Sequence, residues 1–249
     1  MTHHAPPVTG PEFFDVDRVR LTEVAPPVLP PALVAARDRV WEEAVRANPE
    51  LFDGPVVACA GLAPDGAGGA VLEWSRATYR HRWLRRLPGA VGALPSLFVG
   101  VVQPVEDGRV LVARMALWTS APGRWQLPGG SVEPPAPGGV LDGAALAREA
   151  ARELVEELGV VVDHGELELA GLTRARGGGV GALYLAPPRS EAELRAGFAA
   201  LARAERARGR EPELVELVFL GSVAELSGLT GPCADYLVPV LEREGRRTR

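Results

Sequence analysis

The sequence predicts an α+β fold in two parts, a smaller N-terminal α+β extension and a larger sheet-and-helix domain. Three features carry this. Runs rich in β-formers recur at 97–105, 109–117, 166–172, 180–185 and 214–220, too many for a helical bundle. A long amphipathic stretch, 142–158, interrupts them with helical spacing. A Gly/Pro/Ala-rich stretch from Pro88 to Pro95 separates them from an earlier helix and strand pair. The expected division is 1–12 as a flexible tail, 13–95 as the extension and 96–249 as the main domain.

In order, the stretch around Pro26 to Pro31 is extended, because proline fixes φ and removes a donor. A helix follows from Pro31 to Arg46, with Leu33, Val34, Val40 and Trp41 at helical spacing, and Asn48-Pro49 ends it. Segments 56–62 and 70–79 flank a turn-rich Pro64 to Gly69 and pair as a hairpin. Segments 97–105 and 109–117 flank Glu106-Asp107-Gly108 and are expected to pair likewise. The loop Leu127-Pro128-Gly129-Gly130, a Pro/Gly-rich insert from Pro134 to Gly139 and the helix Asp142 to Leu158 come next, stopped by Gly159. Strands 166–172 and 180–185 surround Gly177-Gly178-Gly179. Ser190, with Glu191 and Glu193 behind it, opens a helix to Arg208; a strand 214–220 and a last helix 233–244 complete the chain.

A net charge of −5 argues against a general nucleic-acid binder, which presents a basic surface to phosphate. Cys59 and Cys233 lie far apart without metal-ligand spacing, which fits a reducing cytoplasm and no disulfide scaffold. No apolar run reaches bilayer-spanning length and residues 1–7 lack a signal-peptide pattern, so no membrane partner is expected. His3, His4 and His164 have no partners at ligand spacing.

The chemistry lies on the helix from Asp142. At about 100° per residue, Glu149, Glu153, Glu156 and Glu157 fall within roughly a third of the circumference. Leu146, Ala147, Ala150, Leu154 and Leu158 occupy the adjoining arc and place the acidic face at the edge of the core. Like charges at these spacings cost roughly 0.2–0.5 kcal/mol per pair. Two readings relieve the repulsion: a solvated face laced with Arg148 and Arg152, or a hard divalent cation taking carboxylate oxygens and substrate phosphate.

Arg152-Glu153-Leu154, Glu156-Glu157 and Gly159-Val160, behind Leu127-Pro128-Gly129-Gly130, resemble the Nudix signature. That resemblance implies an α/β/α sandwich around a mixed sheet and a metal-dependent pyrophosphohydrolase. Glu153, Glu156, Glu157 and the Gly130 carbonyl would bind Mg²⁺ or Mn²⁺, Arg152 would orient a glutamate, and Glu213 would be the general base. The pattern departs at its upstream glutamate, where Ala144 or Ala136 stands according to the direction of counting, leaving Glu133 or Glu149 as substitutes. A homodimer follows from family analogy alone.

Residues 41–54 with Thr78-Tyr79-Arg80 resemble the branch that cleaves UDP-glucose and UDP-galactose, implying UMP and a sugar 1-phosphate as products. Tyr79, Arg80, Arg114 and Trp118 are the expected substrate contacts. Arg82, Arg85 and Arg86 around Trp83 read equally as a basic helix face. Other diphosphates (a nucleoside triphosphate, ADP-ribose, a CoA-type compound) and a ligand sensor without turnover remain alternatives.

Overall fold

The computed structural model describes residues 10–90, 92–176 and 178–247. Expectations for residues 1–9, His3 and His4 among them, for Val91 in the boundary stretch and for Gly177 in the glycine turn lie outside the described residues.

The strands are β1 (Glu12–Phe14), β2 (Val19–Glu23), β3 (Pro55–Pro64), β4 (Ala70–Thr78), β5 (Leu97–Val102), β6 (Val110–Met115), β7 (Trp125–Gln126), β8 (Glu168–Arg174), β9 (Val180–Leu185) and β10 (Leu214–Leu220). The helices are α1 (Pro31–Ala47), α2 (Gly143–Leu158), α3 (Glu191–Ala207) and α4 (Leu237–Arg247). They build three sheets, β1-β8-β9-β5, β10-β6-β7 and β2-β4-β3. The first is mixed, because β5 runs parallel to β9 while β8 runs antiparallel to it.

The apolar residues of β5, β6 and β9 alternate between two cores. Val99, Val101, Leu111, Ala113, Ala182 and Tyr184 pack with Leu146, Ala150, Leu154 and Leu158 of α2. Val102, Val110, Val112 and Leu183 face the opposite way and pack with Leu237, Val240 and Leu241 of α4. Strands covered on both faces need apolar residues at successive positions, which is why these read as continuous runs. The result is an α/β/α sandwich. Val57, Cys59, Leu72 and Trp74 of the extension belong to the α2-side core, so this core is continuous across residues 88–95.

Local signals placed the boundaries well. Pro31 opens α1 and Asn48 caps it; Asp142 caps α2, its side chain accepting from the Ala145 N–H at 2.7 Å. Gly159 ends α2 at φ +67°, and Ser190 opens α3 with a capping box to Glu193. Pairing partners were another matter. The turn at Glu106-Asp107-Gly108 forms, but β5 and β6 do not continue as a hairpin. After the Leu111-to-Gln103 backbone bond they enter different sheets, β5 beside β9 and β6 between β10 and β7. Each strand has two apolar faces to cover, and the local turn does not specify the lateral partner.

Three further departures are local. Glu12, placed in the tail, starts β1 and pairs with Arg174 of β8 at 2.9 Å. The last helix starts at Leu237 rather than Cys233, because Pro232 and Ala234 hydrogen-bond to the Trp125 backbone. Residues 79–86 form a 3-10 helical turn after β4.

Candidate active site

The Leu127-Pro128-Gly129-Gly130 loop is laid along β5 by backbone bonds from Val101 to the Pro128 carbonyl (2.8 Å) and from Val99 to the Gly130 carbonyl (2.9 Å). Glycine is required here. Gly129 has φ +147°, and a Cβ on it would meet the Val99 carbonyl oxygen at 2.1 Å. A Cβ on Gly130 would lie 2.5 Å from a carboxylate oxygen of Glu153. The loop thus seats its backbone against the acidic side of α2.

There the Gly129 N–H donates to Glu157 Oε2 at 2.7 Å. Glu157 and Glu153 are both buried, at 7% and 8% exposure, while Glu156 faces solvent. Arg152 spans the group, donating to Glu149 at 2.7 Å, to Glu153 at 2.9 Å and to Glu156. Burial pushes the Glu153 carboxyl up to about 7 against the pull of Arg152, with Glu156, Glu213 and Glu149 adding repulsion. Burial and Glu153 push Glu157 well above the usual carboxylate range, opposed by the Gly129 bond. Glu213, just before β10, is raised by partial burial and by Glu156, although the residue remains open to solvent. The fold therefore brings Glu213 from a distant segment to the three helix glutamates.

Among the described residues, no three Asp, Glu, His or Cys side chains converge to hold an ion in this arrangement, in which Arg152 engages Glu149, Glu153 and Glu156. The donor chemistry nevertheless fits a hard cation: crowded carboxylates, two of them buried and raised, beside the Gly130 backbone. The Gly130 carbonyl spends one lone pair on Val99. Of the two substitutes for the upstream glutamate, Glu149 belongs to the Arg152 network, whereas Glu133 is exposed on the loop.

A cavity of about 810 Å³ opens beside this edge, bounded by Gly129, Gly130 and Glu213 on one side. Its other side comes from the extension, with Phe52 and the 3-10 turn bearing Tyr79, Arg82, Trp83, Arg85 and Arg86. Asn48 Nδ2 donates to the Trp118 carbonyl at 2.6 Å, and Arg76 donates to the Pro135 carbonyl at 2.7 Å. These bonds tie the extension to the loop after β6 and to the Pro134–Gly139 insert.

Of the expected substrate contacts, Tyr79 and Trp118 line the cavity. Arg80 and Arg114 do not. Arg80 is drawn to Asp53 and lies 3.5 Å from Asp38, and Arg114 pairs with Glu216 across the β6–β10 ladder at 3.4 Å. Arg124, Arg176 and Tyr236 line it without having been singled out. Arg124 and Arg176 sit in loops without periodic pattern, so no sequence signal marked them. The indole N–H groups of Trp83 and Trp118 are buried without a hydrogen-bond partner among the described residues.

A family model of the NUDIX domain matches residues 96–229, just over half of the chain. No curated protein matches the chain. Solved structures include a MutT/nudix family protein from Enterococcus faecalis, 21% identical, covering 50% of this chain and 43% of that one, TM-score 0.32. A MutT protein from Methanosarcina mazei Go1 is 17% identical, covering 62% of this chain and 96% of that one, TM-score 0.37. Shewanella oneidensis NrtR, solved in complex with a 27mer DNA, is 20% identical, covering 61% and 60%, TM-score 0.36. The chain thus spans less than half the length of the Enterococcus protein. With the family model covering most of the sandwich and the whole Gly-Gly loop and acidic helix, this protein belongs to the NUDIX domain family.

Proposed function

We propose that the protein is a metal-dependent pyrophosphohydrolase of a nucleoside diphosphate linked to another group. The observation that carries this is the meeting of Glu153, Glu156, Glu157 and Glu213 at the Gly129-Gly130 loop, which borders a cavity also lined by basic and aromatic residues. Glu153, Glu156, Glu157 and the Gly130 carbonyl would hold Mg²⁺ or Mn²⁺. When bound, such a cation neutralises the diphosphate and lowers the pKa of a coordinated water.

Arg152 keeps Glu153 and Glu156 oriented and offsets their repulsion. Glu213 is the general base we assign: its carboxyl, raised by burial and by Glu156, is a stronger base toward water than an ordinary carboxylate. Arg124 lies close enough to Tyr236 to influence its hydroxyl, as Glu157 does, which suits Arg124 to a phosphate oxygen beside the carboxylate edge. Tyr79 and Trp118 offer aromatic surface to a base.

UDP-sugar is the first substrate to test, on the resemblance of residues 41–54 and 78–80. The experiment is a diphosphate panel with Mg²⁺ or Mn²⁺, both products being identified by mass spectrometry. UMP release that disappears in the joint Glu156→Gln, Glu157→Gln variant is the expected result; undiminished release overturns the assignment. A second reading, a nucleotide-sugar sensor without turnover, is favoured by Ala144 and Ala136 at the upstream glutamate position. It predicts saturable binding with no metal-dependent product.

A further inference from the structure

We propose that the 3-10 turn of the extension is a subsite for a second anionic group, so that the ligand carries a carboxylate or phosphate on the part remote from the metal edge. This rests on the diphosphate reading above and narrows it to derivatives that carry a further charged group beside the diphosphate.

The first observation is charge without a partner. Arg82, Arg85, Arg86, Arg124 and Arg176 line the cavity, and none is ion-paired among the described residues. Elsewhere the arginines nearest the site are spent on carboxylates: Arg76 on Glu23, Arg80 on Asp53, Arg114 on Glu216 and Arg152 on three glutamates. The other acids on the cavity wall, Glu50 and Asp235, form no ion pair with the five, and Asp235 accepts the Arg176 backbone N–H at 2.6 Å.

The second is how the turn is held. Arg82 donates to the Tyr79 hydroxyl at 2.7 Å with its guanidinium 4.8 Å from that ring, and Arg86 lies 5.2 Å from the Trp83 ring. Trp83 in turn stacks edge-on against Trp41 of α1, centroids 4.9 Å apart. Guanidiniums held over aromatic rings are pre-set, and apart from the Arg82 bond to Tyr79 their N–H groups make no hydrogen bond among the described residues, which leaves them to a carboxylate or phosphate. Burial and neighbouring Arg82 both disfavour the charge on Arg85, a cost that an anion would relieve.

The third is position. Arg85 reaches the β8–β9 loop, where a Cβ on Gly178 would lie 2.8 Å from its guanidinium. The metal edge lies at Val99, whose carbonyl abuts Gly129 and whose register partner on β9 is Ala182. Gly178 is four residues before Ala182 and two before the start of β9, so the two places are up to roughly 13 Å apart along the sheet at about 3.3 Å per residue. One phosphoryl bridge held at the carboxylates does not serve both; a second anion does. A cavity of about 810 Å³ is of the size that holds one small ligand.

The test compares matched pairs on the full chain: UDP-glucose with UDP-glucuronate, and dephospho-CoA with CoA. Binding is measured by calorimetry in EDTA, and turnover by product analysis in Mg²⁺. The wild type is expected to prefer the member with the further anionic group in at least one pair by about tenfold, equivalent to about 1.4 kcal/mol. Which pair shows it tells carboxylate from phosphate. In the Arg85→Gln, Arg86→Gln variant that ratio should fall toward one, and Lys at both positions should restore part of it. Equal treatment of both members by the wild type overturns the proposal, as does a variant that loses both by the same factor. The wild-type comparison stands even if the variant does not fold. Preference in binding without any product would sink the hydrolase reading and leave the subsite standing.

Discussion

The two walls of the cavity are built on opposite plans. On the acidic side, behind the Gly129-Gly130 loop that lines the cavity, α2 carries three of the four glutamates, Arg152 offsets only part of their repulsion, and two carboxyls are buried at 7% and 8% exposure. On the basic wall, a short 3-10 turn carries the charges at the surface, each of two arginines resting on an aromatic ring. Crowded buried carboxyls are costly, so the acidic side gives up stability. The basic wall has its guanidiniums half-solvated and sacrifices little. Function and stability should therefore separate on the first wall and not on the second.

The largest expected effect breaks or confirms that separation directly. Glu157→Gln should lower turnover of whichever diphosphate is cleaved by at least about 100-fold, the scale of losing one pre-organised charged group. Thermal unfolding of the same variant should occur at an unchanged or higher temperature, since a buried carboxylate has been neutralised. Retained turnover, or a marked loss of stability, would contradict the plan.

Next comes Gly129→Ala, where backbone and function fail together. The φ of +147° alone implies about 1–3 kcal/mol of strain for alanine, and the contact with the Val99 carbonyl adds to it. Urea unfolding of the variant should show a lower midpoint, and a wild-type midpoint would mean that the loop is not pinned to β5 as described.

The pH dependence of stability is smaller and diagnostic. Glu153 is raised to about 7 in the fold, above its ordinary value of 4.5, so the native state holds a proton that the unfolded chain has released. In EDTA, this stabilising contribution is full below the unfolded value and declines as pH rises through about 7. Saturating Mg²⁺ should flatten that decline, because the cation replaces the proton. A metal-independent slope would argue against an ion at Glu153.

The smallest effect is expected at Arg80. Its partly exposed pairing with Asp53 and Asp38 makes it a brace for the turn, so Arg80→Gln should cost under about 1 kcal/mol of stability. KM should change much less than in the Arg85→Gln, Arg86→Gln variant; a larger change would return Arg80 to the binding wall.

Legibility followed the range of the interactions. Spacing at i, i+3 and i+4 on α2 put Glu153, Glu156 and Glu157 on one arc, and the caps Asp142, Gly159 and Ser190 announced helix ends. Tyr79 and Trp118, singled out through a looser likeness and through position after a strand, line the cavity. Arg80 and Arg114 stand outside its lining, paired with acids, because charge type is visible in a sequence but the partner is not: Asp53 lies 27 residues away and Glu216 102 residues away. Arg124 and Arg176 went unseen for the complementary reason, since nothing periodic surrounds them.

The sequence by itself determined the helices, the strand segments and the acidic stripe, because hydrophobic period, capping and helical side-chain spacing all act within a few residues. Only the tertiary structure decided which strands pair, that β5 and β6 part company after their turn, and that Glu213 arrives beside α2. It also decided that the extension supplies the far wall of the cavity. Those outcomes depend on covering both faces of each strand and on desolvating charges together, and such terms exist only once distant segments share one core.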